Sequence, residues 1–335
     1  MKKILIVNVN WVGDVLFSTP LIRAAREQYP DAFIACLVVP RCKEVLELNP
    51  NLDEIIINHE ESIHKGLIGR LKLIAYLRSK KFDTAILLHR SLMRALVVYL
   101  AGIRQRIGYY TRKRAFLLTE AVPPPTEDVH RVDYYLNLAK AAGITASDRN
   151  YEFFISDEDK RSARVLLEKE DVLERDTQIV INPGGNWGPK RWPKENFSAL
   201  ADKLAAIYKA KIIITGAKKD IPLAEAIAKG MKTKPVITCG RTSLKELASI
   251  FSAASLVIAN DSGPMHIAVS LGVNTIALFG PTSPLITGPI GRGRYEVLHK
   301  SKECLVPCYN MSCVSYRCMN EIKVEDVLAV AKGLI

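Results

Sequence analysis

The chain has 335 residues, of which 48% are hydrophobic and 24% charged, and this length and composition favour two globular domains over a disordered or fibrous protein. Its longest apolar-rich stretch, Ala95–Ala101, is too short to span a bilayer, so no transmembrane segment is expected. The net charge of +12 leaves three classes of partner open: nucleic acid, an anionic membrane surface and a phosphorylated substrate.

The first half of the chain alternates predicted strands and helices, beginning with a buried strand at Lys3–Val9. The elements that follow are helix Val15–Gln28, strand Ala32–Val39, helix Arg41–Leu48, strand Glu54–Ile57, a basic helix within 65–81, strand Asp83–Leu88, helix Leu92–Ala101 and helix Val132–Ala142. Polar residues soon interrupt the N-terminal apolar run, which favours a strand over a signal peptide and predicts a cytoplasmic protein. A polar stretch near 147–150 indicates two domains, 1–153 and 154–335.

The second half repeats this alternation, so it predicts a second parallel sheet with helices on both faces. The predicted elements are strands Gln178–Asn182, Lys211–Thr215, Pro235–Thr238, Leu256–Ala259 and Asn274–Phe279, and helices Glu195–Tyr208, Ile221–Lys229, Leu244–Ala254, Met265–Leu271 and Val324–Leu334. The last helix could pack back on the first domain. We therefore expect an α/β protein with two Rossmann-like, doubly wound domains that face a cleft, where the carboxyl ends of the strands bind ligands.

Two basic clusters need an explanation, one from Lys65 to Lys81 and one from Arg104 to Arg114. The first is a predicted helix whose apolar stripe is Leu67, Leu71, Ile74 and Leu77. We favour an ordinary docked helix with a solvated basic face over a helix that lies on a membrane. Neither cluster accompanies a nucleic-acid-binding signature, so no nucleic-acid partner is expected.

Asp14 closes the loop Asn10–Asp14 after the first predicted strand, which places its carboxylate at the cleft. There it could take a proton from a substrate hydroxyl, or it could simply cap the following helix. The loop lacks the G-x-G-x-x-G fingerprint and the chain has no P-loop, which argues against a nicotinamide enzyme and a P-loop nucleotidase.

The stretch 182–193 follows the first strand of the second half and carries Gly184, Gly185 and Gly188 beside Lys190 and Arg191. Glycines permit close approach of the backbone to a ligand, and adjacent cations suit a diphosphate. The alternative interpretation is a basic surface loop held by Trp187 and Trp192.

The stretch 256–272 predicts a buried strand, a tight turn and a helix whose first turn accepts Pro264. Asp261, Ser262 and His266 then lie at a helix N-terminus, where free amides and the helix dipole attract phosphate. The alternative is that Asp261 and Ser262 only cap the helix.

Four cysteines, Cys304, Cys308, Cys313 and Cys318, cluster before the last helix. They could hold structural zinc, but tight C-x2-C pairs are missing, and we favour reduced thiols.

The stretches 11–14, 182–193 and 260–266 and the tract 277–284 resemble the signatures of glycosyltransferase family 9, the ADP-heptose:lipopolysaccharide heptosyltransferases. Within this family, the motifs Trp-Val-Gly-Asp and Gly-Pro-Lys-Arg-Trp-Pro are most similar to those of heptosyltransferase II. The resemblance implies a GT-B fold, with the acceptor on the first domain and the nucleotide sugar on the second. It also implies inverting transfer of heptose from an ADP-heptose donor to a lipid A-Kdo-heptose acceptor at the inner-membrane face, without a cofactor or catalytic metal.

The resemblance also implies roles for individual residues. Asp14 corresponds to the general base. The remaining correspondences are Gly185, Asn186 and Lys190 in the diphosphate loop, Asp261, Ser262, Gly263 and His266 in the turn that holds diphosphate and heptose, and Asp220 and Thr242 near the nucleoside. Two alternatives stay open, namely a family 9 transferase with a different nucleotide sugar and a non-catalytic two-domain protein that binds an anion. A peripheral location at the inner membrane is compatible with the first interpretation.

Overall fold

The computed structural model describes residues 2–300 and 304–335. The chain forms two compact units, Met1–Phe154 and Ile155–Ile335. Each unit is built on one six-stranded parallel sheet, so the predicted α/β class with two doubly wound sheets is confirmed.

The sheet of the first unit has the order β3-β2-β1-β4-β5-β6. Its strands are β1 (Lys3–Val7), β2 (Phe33–Val38), β3 (Glu54–Ile57), β4 (Thr84–Leu87), β5 (Gln105–Tyr109) and β6 (Glu120–Val122). Its helices are α1 (Val12–Leu16), α2 (Thr19–Gln28), α3 (Lys43–Leu46), α4 (Gly66–Lys80), α5 (Leu92–Leu100) and α6 (Arg131–Ala141). The central strand β1 is buried on both faces, which explains its continuous apolar run.

The sheet of the second unit has the order β12-β11-β10-β7-β8-β9. Its strands are β7 (Gln178–Asn182), β8 (Lys211–Ile214), β9 (Val236–Ile237), β10 (Leu256–Asn260), β11 (Thr275–Phe279) and β12 (Tyr295–His299). Its helices are α7 (Asp157–Glu168), α8 (Lys194–Tyr208), α9 (Ile221–Gly230), α10 (Leu244–Ala253), α11 (Gly263–Ser270), α12 (Pro284–Thr287), α13 (Arg317–Asn320) and α14 (Val324–Leu334). Helix α14 packs on α8, β11 and β12 of its own unit.

Both sheets have the strand order of a Rossmann fold. In each, the first strand of the unit pairs with the second on one side and with the fourth on the other. The chain therefore reverses its direction of travel through the sheet between β1 and β4, and again between β7 and β10. In open parallel sheets such a reversal leaves a crevice at the carboxyl ends of the two central strands, where ligands bind.

The single helix predicted at Val15–Gln28 is wrong, because the structure has two helices, α1 and α2, and the first begins at Val12. The Ser18 and Thr19 hydroxyls donate to the carbonyls of Val15 and Leu16, and Pro20 has no amide hydrogen to continue the helix. These features separate the two helices at residues 17–18.

The predicted apolar stripe of the basic helix is also partly wrong. Ile74 and Leu77 of α4 are buried, whereas Leu67 and Leu71 are exposed. No helix in the described part of the chain is long and apolar enough to cross a membrane.

Candidate functional site

In the second unit, the residues predicted to bind a diphosphate follow β7 and β10, the two strands between which the strand order reverses. The glycine loop leaves the end of β7, and the turn at Asp261–Ser262 leaves the end of β10. Because the two strands are parallel neighbours, both segments begin at the same edge of the sheet. The structure thus brings together two stretches that are about 70 residues apart in the sequence.

Asn260, the last residue of β10, fixes the glycine loop. Its side-chain amide donates to the carbonyls of Pro183 and Gly184 at 2.8 and 3.2 Å, and its side-chain oxygen accepts from the Trp192 amide at 3.1 Å. The residue is fully buried. The sequence analysis did not single out Asn260, although a polar residue at the end of a buried strand is a signal that could have identified it.

Trp192 anchors the far end of the glycine loop in the core. Its indole N–H donates to the Ile322 carbonyl at 2.9 Å, and its ring packs edge-on against Phe197. Trp187, by contrast, is half-buried, and the Lys190 ammonium lies 5.7 Å from the centre of its ring. The loop is therefore held at both ends, which leaves its middle, with Lys190, in a defined position.

Gly184 makes a close contact that the sequence analysis did not foresee. A Cβ atom at this position would lie 3.0 Å from a carboxylate oxygen of Asp220, which is buried beneath the loop. At Gly185, by contrast, the nearest atom to an added Cβ is Cγ of Arg191 at 3.4 Å. The packing of Asp220 therefore accounts for Gly184, whereas Gly185 has ordinary space around it.

Asp261 is the centre of a group of polar contacts. Its Oδ2 atom lies 2.5 Å from Nζ of Lys190 and accepts a 2.6 Å hydrogen bond from Oγ1 of Thr282, and its Oδ1 atom is 3.8 Å from Nε2 of His266. Burial alone would raise the pKa of Asp261, but hydrogen bonding from His266 and the charge of Lys190 outweigh burial and lower the pKa to about 2. Asp261 is thus a fixed anion that holds the Lys190 ammonium at the crevice.

Helix α11 begins directly beside this pair and is not capped by the side chains that the alternative interpretation requires. Ser262 occupies the N-cap position without a side-chain capping bond, and Pro264 lies in the first turn as predicted. Oγ of Ser262 is buried and has no hydrogen-bond partner among the described residues. The start of α11 therefore keeps amide and hydroxyl donors available for an anion.

The residues assigned to the nucleoside lie along the same sheet edge, after β8 and β9. Asp220 accepts from the Ala217 amide at 3.0 Å and lies 3.7 Å from the Arg191 guanidinium, and it is buried. Thr242 is half-buried in the loop that precedes α10. Contact of either residue with a nucleoside stays a prediction. Asn186 is exposed on the glycine loop, and Gly263 is the first residue of α11.

In the first unit, Asp14 lies in the first turn of α1, and Trp11 rather than Asp14 occupies the N-cap position. The Asp14 side chain is 30% exposed, so solvent or a ligand can reach it. Its Oδ1 atom accepts from the Tyr135 hydroxyl at 3.4 Å and lies 3.7 Å from Nε of Arg131. Burial, followed by the negative charge of Asp14, raises the pKa of Tyr135 well above its usual value. Tyr135 therefore stays a neutral hydrogen-bond donor to this carboxylate.

A cavity of about 400 Å³ lies in the first unit and includes residues that follow β1 and β4. We call it the first-unit cavity; its polar lining includes Asn10, Glu60, His64, Arg70, His89 and Arg94. The buried Arg94 guanidinium donates to Oδ1 of Asn10 at 2.5 Å and to Glu60 at 3.2 Å, and it also bonds the Asn8 carbonyl. None of the cavity's polar residues was predicted as a site residue. His89 could have been identified, because it is the first residue after the predicted strand Asp83–Leu88.

The two imidazoles of this cavity have defined hydrogen-bonding roles. Nδ1 of His64 accepts from the His59 amide at 3.0 Å, and Nδ1 of His89 accepts from the Ser91 amide at 3.1 Å. Burial lowers the pKa of both rings, in the case of His89 to about 4, so His89 is neutral at neutral pH. Each neutral ring then carries its proton on Nε2 and can donate a hydrogen bond.

The four clustered cysteines are free thiols, three of them half-buried and Cys318 buried. Within the described residues, no three or more His, Cys, Asp or Glu side chains form a group that could hold a metal ion. Their segment packs instead on loops of the second unit, since the Cys308 amide donates to the Pro281 carbonyl at 2.7 Å and Tyr316 lies against Gly188.

Two doubly wound Rossmann-like units are the architecture of GT-B glycosyltransferases, and this chain has that architecture. The predicted anion site lies in the second unit. The chain belongs to glycosyltransferase family 9 (heptosyltransferase), whose profile matches residues 70–319, and it is therefore a glycosyltransferase. The family resemblance inferred from the motifs is confirmed.

Individual relatives match over nearly their whole length. Lipopolysaccharide heptosyltransferase 2 of Escherichia coli K12 is 30% identical over 304 residues, which cover 86% of this chain and 85% of the relative. The solved structure of a family 9 glycosyltransferase from Veillonella parvula superposes with a TM-score of 0.92 at 26% identity, covering 99% and 97% of the two chains. The structure of E. coli ADP-heptose lipopolysaccharide heptosyltransferase II has a TM-score of 0.83 at 26% identity, covering 100% and 98%.

Proposed function

We propose that this protein transfers L-glycero-D-manno-heptose from ADP-heptose to the inner core of lipopolysaccharide, with inversion at the anomeric carbon and without a cofactor. The names of the relatives support the substrates, since two of them are lipopolysaccharide heptosyltransferases and one is named for ADP-heptose. The observation that carries the proposal is the Lys190–Asp261 pair beside the uncapped start of α11. It offers a cation and free donors where a diphosphate is expected.

The donor would bind at the crevice between β7 and β10. The α11 amides, the Ser262 hydroxyl and the Lys190 ammonium would hold the diphosphate, because each donates a hydrogen bond to phosphate oxygens. Asp261 is ionised at neutral pH and can only accept hydrogen bonds, so it would bind hydroxyl groups of the heptose. The nucleoside would extend along the edge of the sheet toward Thr242.

The acceptor would bind to the first unit, with its anionic sugar in the first-unit cavity. The neutral imidazoles of His64 and His89 can donate hydrogen bonds, and the Arg70 guanidinium adds a positive charge at the wall. This set of donors suits a ligand rich in carboxylate, phosphate and hydroxyl oxygens, as the inner core is. The Arg94 guanidinium instead fixes the wall of the first-unit cavity, because it is bound to Asn10 and Glu60.

Asp14 would act as the general base. It would take the proton from the acceptor hydroxyl while that oxygen bonds to the anomeric carbon and the bond to the diphosphate breaks. The new glycosidic bond then has the opposite configuration, and ADP leaves with its added negative charge next to Lys190. Arg131 and Tyr135 would keep the Asp14 carboxylate oriented, because both contact its Oδ1 atom.

The test is incubation with ADP-heptose and a lipopolysaccharide acceptor that lacks the outer heptose, followed by mass analysis. We expect the acceptor to gain one heptose residue. Asp14→Asn should lower turnover by about 10²- to 10⁴-fold, the usual contribution of a general base, while ADP-heptose still binds. Asp157→Asn, an exposed carboxylate at the start of α7, is the matched control and should be fully active.

Unchanged turnover of Asp14→Asn would refute the assignment of the base. Transfer from a different nucleotide sugar, measured in a panel of donors, would refute the assignment of ADP-heptose as the donor. Recovery of unaltered ADP-heptose with every acceptor would favour a non-catalytic binding protein.

A further inference from the structure

The protein covers the large aliphatic side chains in the second half of helix α4 but not those in its first half. Leu73, Ile74 and Leu77 lie in the core of the first unit. In the first half of the helix, by contrast, Leu67 and Ile68 are 73% and 74% exposed and Leu71 is 52% exposed. A helix on a protein surface normally presents polar residues to solvent, so the first half of α4 exposes more apolar surface than expected.

Basic residues accompany these exposed apolar side chains. Lys65, Arg70 and Lys72 lie among or close to these residues in the sequence, and α4 itself contains no acidic residue. We call Leu67, Ile68, Leu71, Lys65, Arg70 and Lys72 the α4 face.

The cations of the α4 face have no carboxylate partners. The ion pair of this helix lies at its other end, where Lys80 is 2.8 Å from Glu54. Among the described residues, Lys65, Arg70 and Lys72 form no ion pair. Of the two nearby acidic residues, Glu60 is bound to Arg94 and Glu61 is exposed. The α4 face is therefore apolar and positively charged at once, and its occupant must supply both apolar surface and negative charge.

A second copy of this chain does not meet that requirement. An isologous contact through the α4 face would bring the cations of both copies together, and like charges repel. An anionic bilayer does meet it, because lipid phosphates pair with Lys and Arg while the apolar side chains enter the region of the acyl chains.

We propose that the α4 face docks this protein on an anionic phospholipid bilayer, with Leu67, Ile68 and Leu71 inserted at the interface and Lys65, Arg70 and Lys72 on lipid phosphates. Docking at this face has a second consequence, which rests on the proposed function. Arg70 and Leu73 of α4 also line the first-unit cavity, so an acceptor anchored in the same bilayer would find its binding site next to the membrane.

The test is sedimentation of the full chain with phosphatidylcholine vesicles that contain either no anionic lipid or about one-third phosphatidylglycerol. We expect binding to the anionic vesicles, weaker binding in high salt, and little binding to neutral vesicles. The triple variant Leu67→Gln, Ile68→Gln and Leu71→Gln should lose at least about 10-fold in affinity, because it removes three apolar side chains from the interface. The matched control changes three exposed apolar residues of the second unit, Val165→Gln, Leu285→Gln and Val314→Gln, and should bind like the wild type.

A second variant tests the charges. Lys65→Gln with Lys72→Gln should weaken binding by about 5-fold per cation and flatten its salt dependence. Arg70 is left unchanged in this variant because it lines the first-unit cavity. Thermal unfolding should show both α4 variants folded, since the altered side chains are exposed.

Equal binding of the wild type to neutral and anionic vesicles would overturn the proposal, and so would wild-type binding by the triple α4 variant. Transfer assays separate this proposal from the proposed function. The triple variant should transfer heptose to a delipidated core oligosaccharide like the wild type, but more slowly to an acceptor embedded in vesicles. Vesicle binding without any transfer would leave docking intact and contradict the proposed function.

Discussion

Replacement of Lys190 by methionine tests the donor site most directly. Lys190→Met keeps the length and apolar stem of the side chain but removes the ammonium that lies 2.5 Å from Asp261. The change should weaken donor binding and destabilise the second unit. These two effects have different causes, and the structure gives a magnitude for each.

The effect on stability follows from the pKa of Asp261, which the fold lowers from 3.8 to about 2. A shift of this size corresponds to about 2 kcal/mol of stabilisation when the carboxylate is ionised. Because the pKa of the folded state lies below that of the unfolded state, this stabilisation is complete above about pH 4 and is lost as the pH falls toward 2. His266 and Thr282 remain beside Asp261 in the variant, so we expect a loss of about 1–2 kcal/mol at neutral pH.

The effect on donor binding is smaller than the full attraction between two charges, because Lys190 is already paired with Asp261. A diphosphate gains a charge-assisted hydrogen bond from Lys190 but competes with the carboxylate for it. The net value of such a bond is about 1.5–3 kcal/mol, which is roughly a 10- to 100-fold change in the dissociation constant.

Calorimetric titration with ADP and thermal unfolding at pH 7 and pH 3 measure both effects. The control is Lys194→Met, because Lys194 is exposed and its contact with Glu195 is 3.9 Å long. At pH 3, a fraction of the Asp261 side chains takes up a proton when the protein unfolds. We therefore expect the stability difference between Lys190→Met and wild type to be smaller at pH 3 than at pH 7. Wild-type affinity for ADP together with wild-type stability in Lys190→Met would refute the role of the pair.

Two further substitutions test the residues that position the reacting groups. Tyr135→Phe removes the hydroxyl that donates to Asp14. In steady-state assays it should lower kcat by about 3- to 10-fold, which is the net value of one hydrogen bond, and leave KM for the donor unchanged. An unchanged kcat would show that Tyr135 does not orient the base. Asn260→Ala removes three hydrogen bonds between β10 and the glycine loop and should destabilise the protein by about 2–4 kcal/mol in thermal unfolding, with weaker ADP binding; wild-type values for both would contradict its role in fixing the loop.

The strands that form the centre of each sheet were predictable because they are buried on both faces. A parallel strand covered by helices on both sides appears in the sequence as an unbroken apolar run, and β7 has the bounds that its run predicted. The strands β5, β6 and β12 were not predicted. They lie toward the edges of their sheets, and segments such as Gln105–Tyr109 carry polar and charged residues instead of an apolar run.

The two segments predicted to bind a diphosphate were identified from sequence because their residue types indicate an anion site locally, but the contacts between these segments were not predicted. Lys190 and Asp261 meet only because β7 and β10 are neighbours, and strand order is a property of the whole sheet. Thr282 reaches Asp261 from the end of β11 for the same reason. The split between α1 and α2 was missed because it depends on the Ser18 and Thr19 side chains bonding back to the helix.

In each unit, a buried polar side chain from a neighbouring element fixes the loop that follows the first strand of the sheet. In the first unit, Arg94 reaches from α5 to the residues after β1 and bonds Asn8 and Asn10. In the second unit, Asn260 reaches from β10 to the residues after β7. Because Arg94 and Asn260 fix these loops, Asp14 is not needed to hold its loop in place, whereas Lys190 contributes to stability through its ion pair with Asp261. Substitution of Arg94 or Asn260 should therefore change stability and ligand binding together, whereas Asp14→Asn should change turnover with little effect on folding.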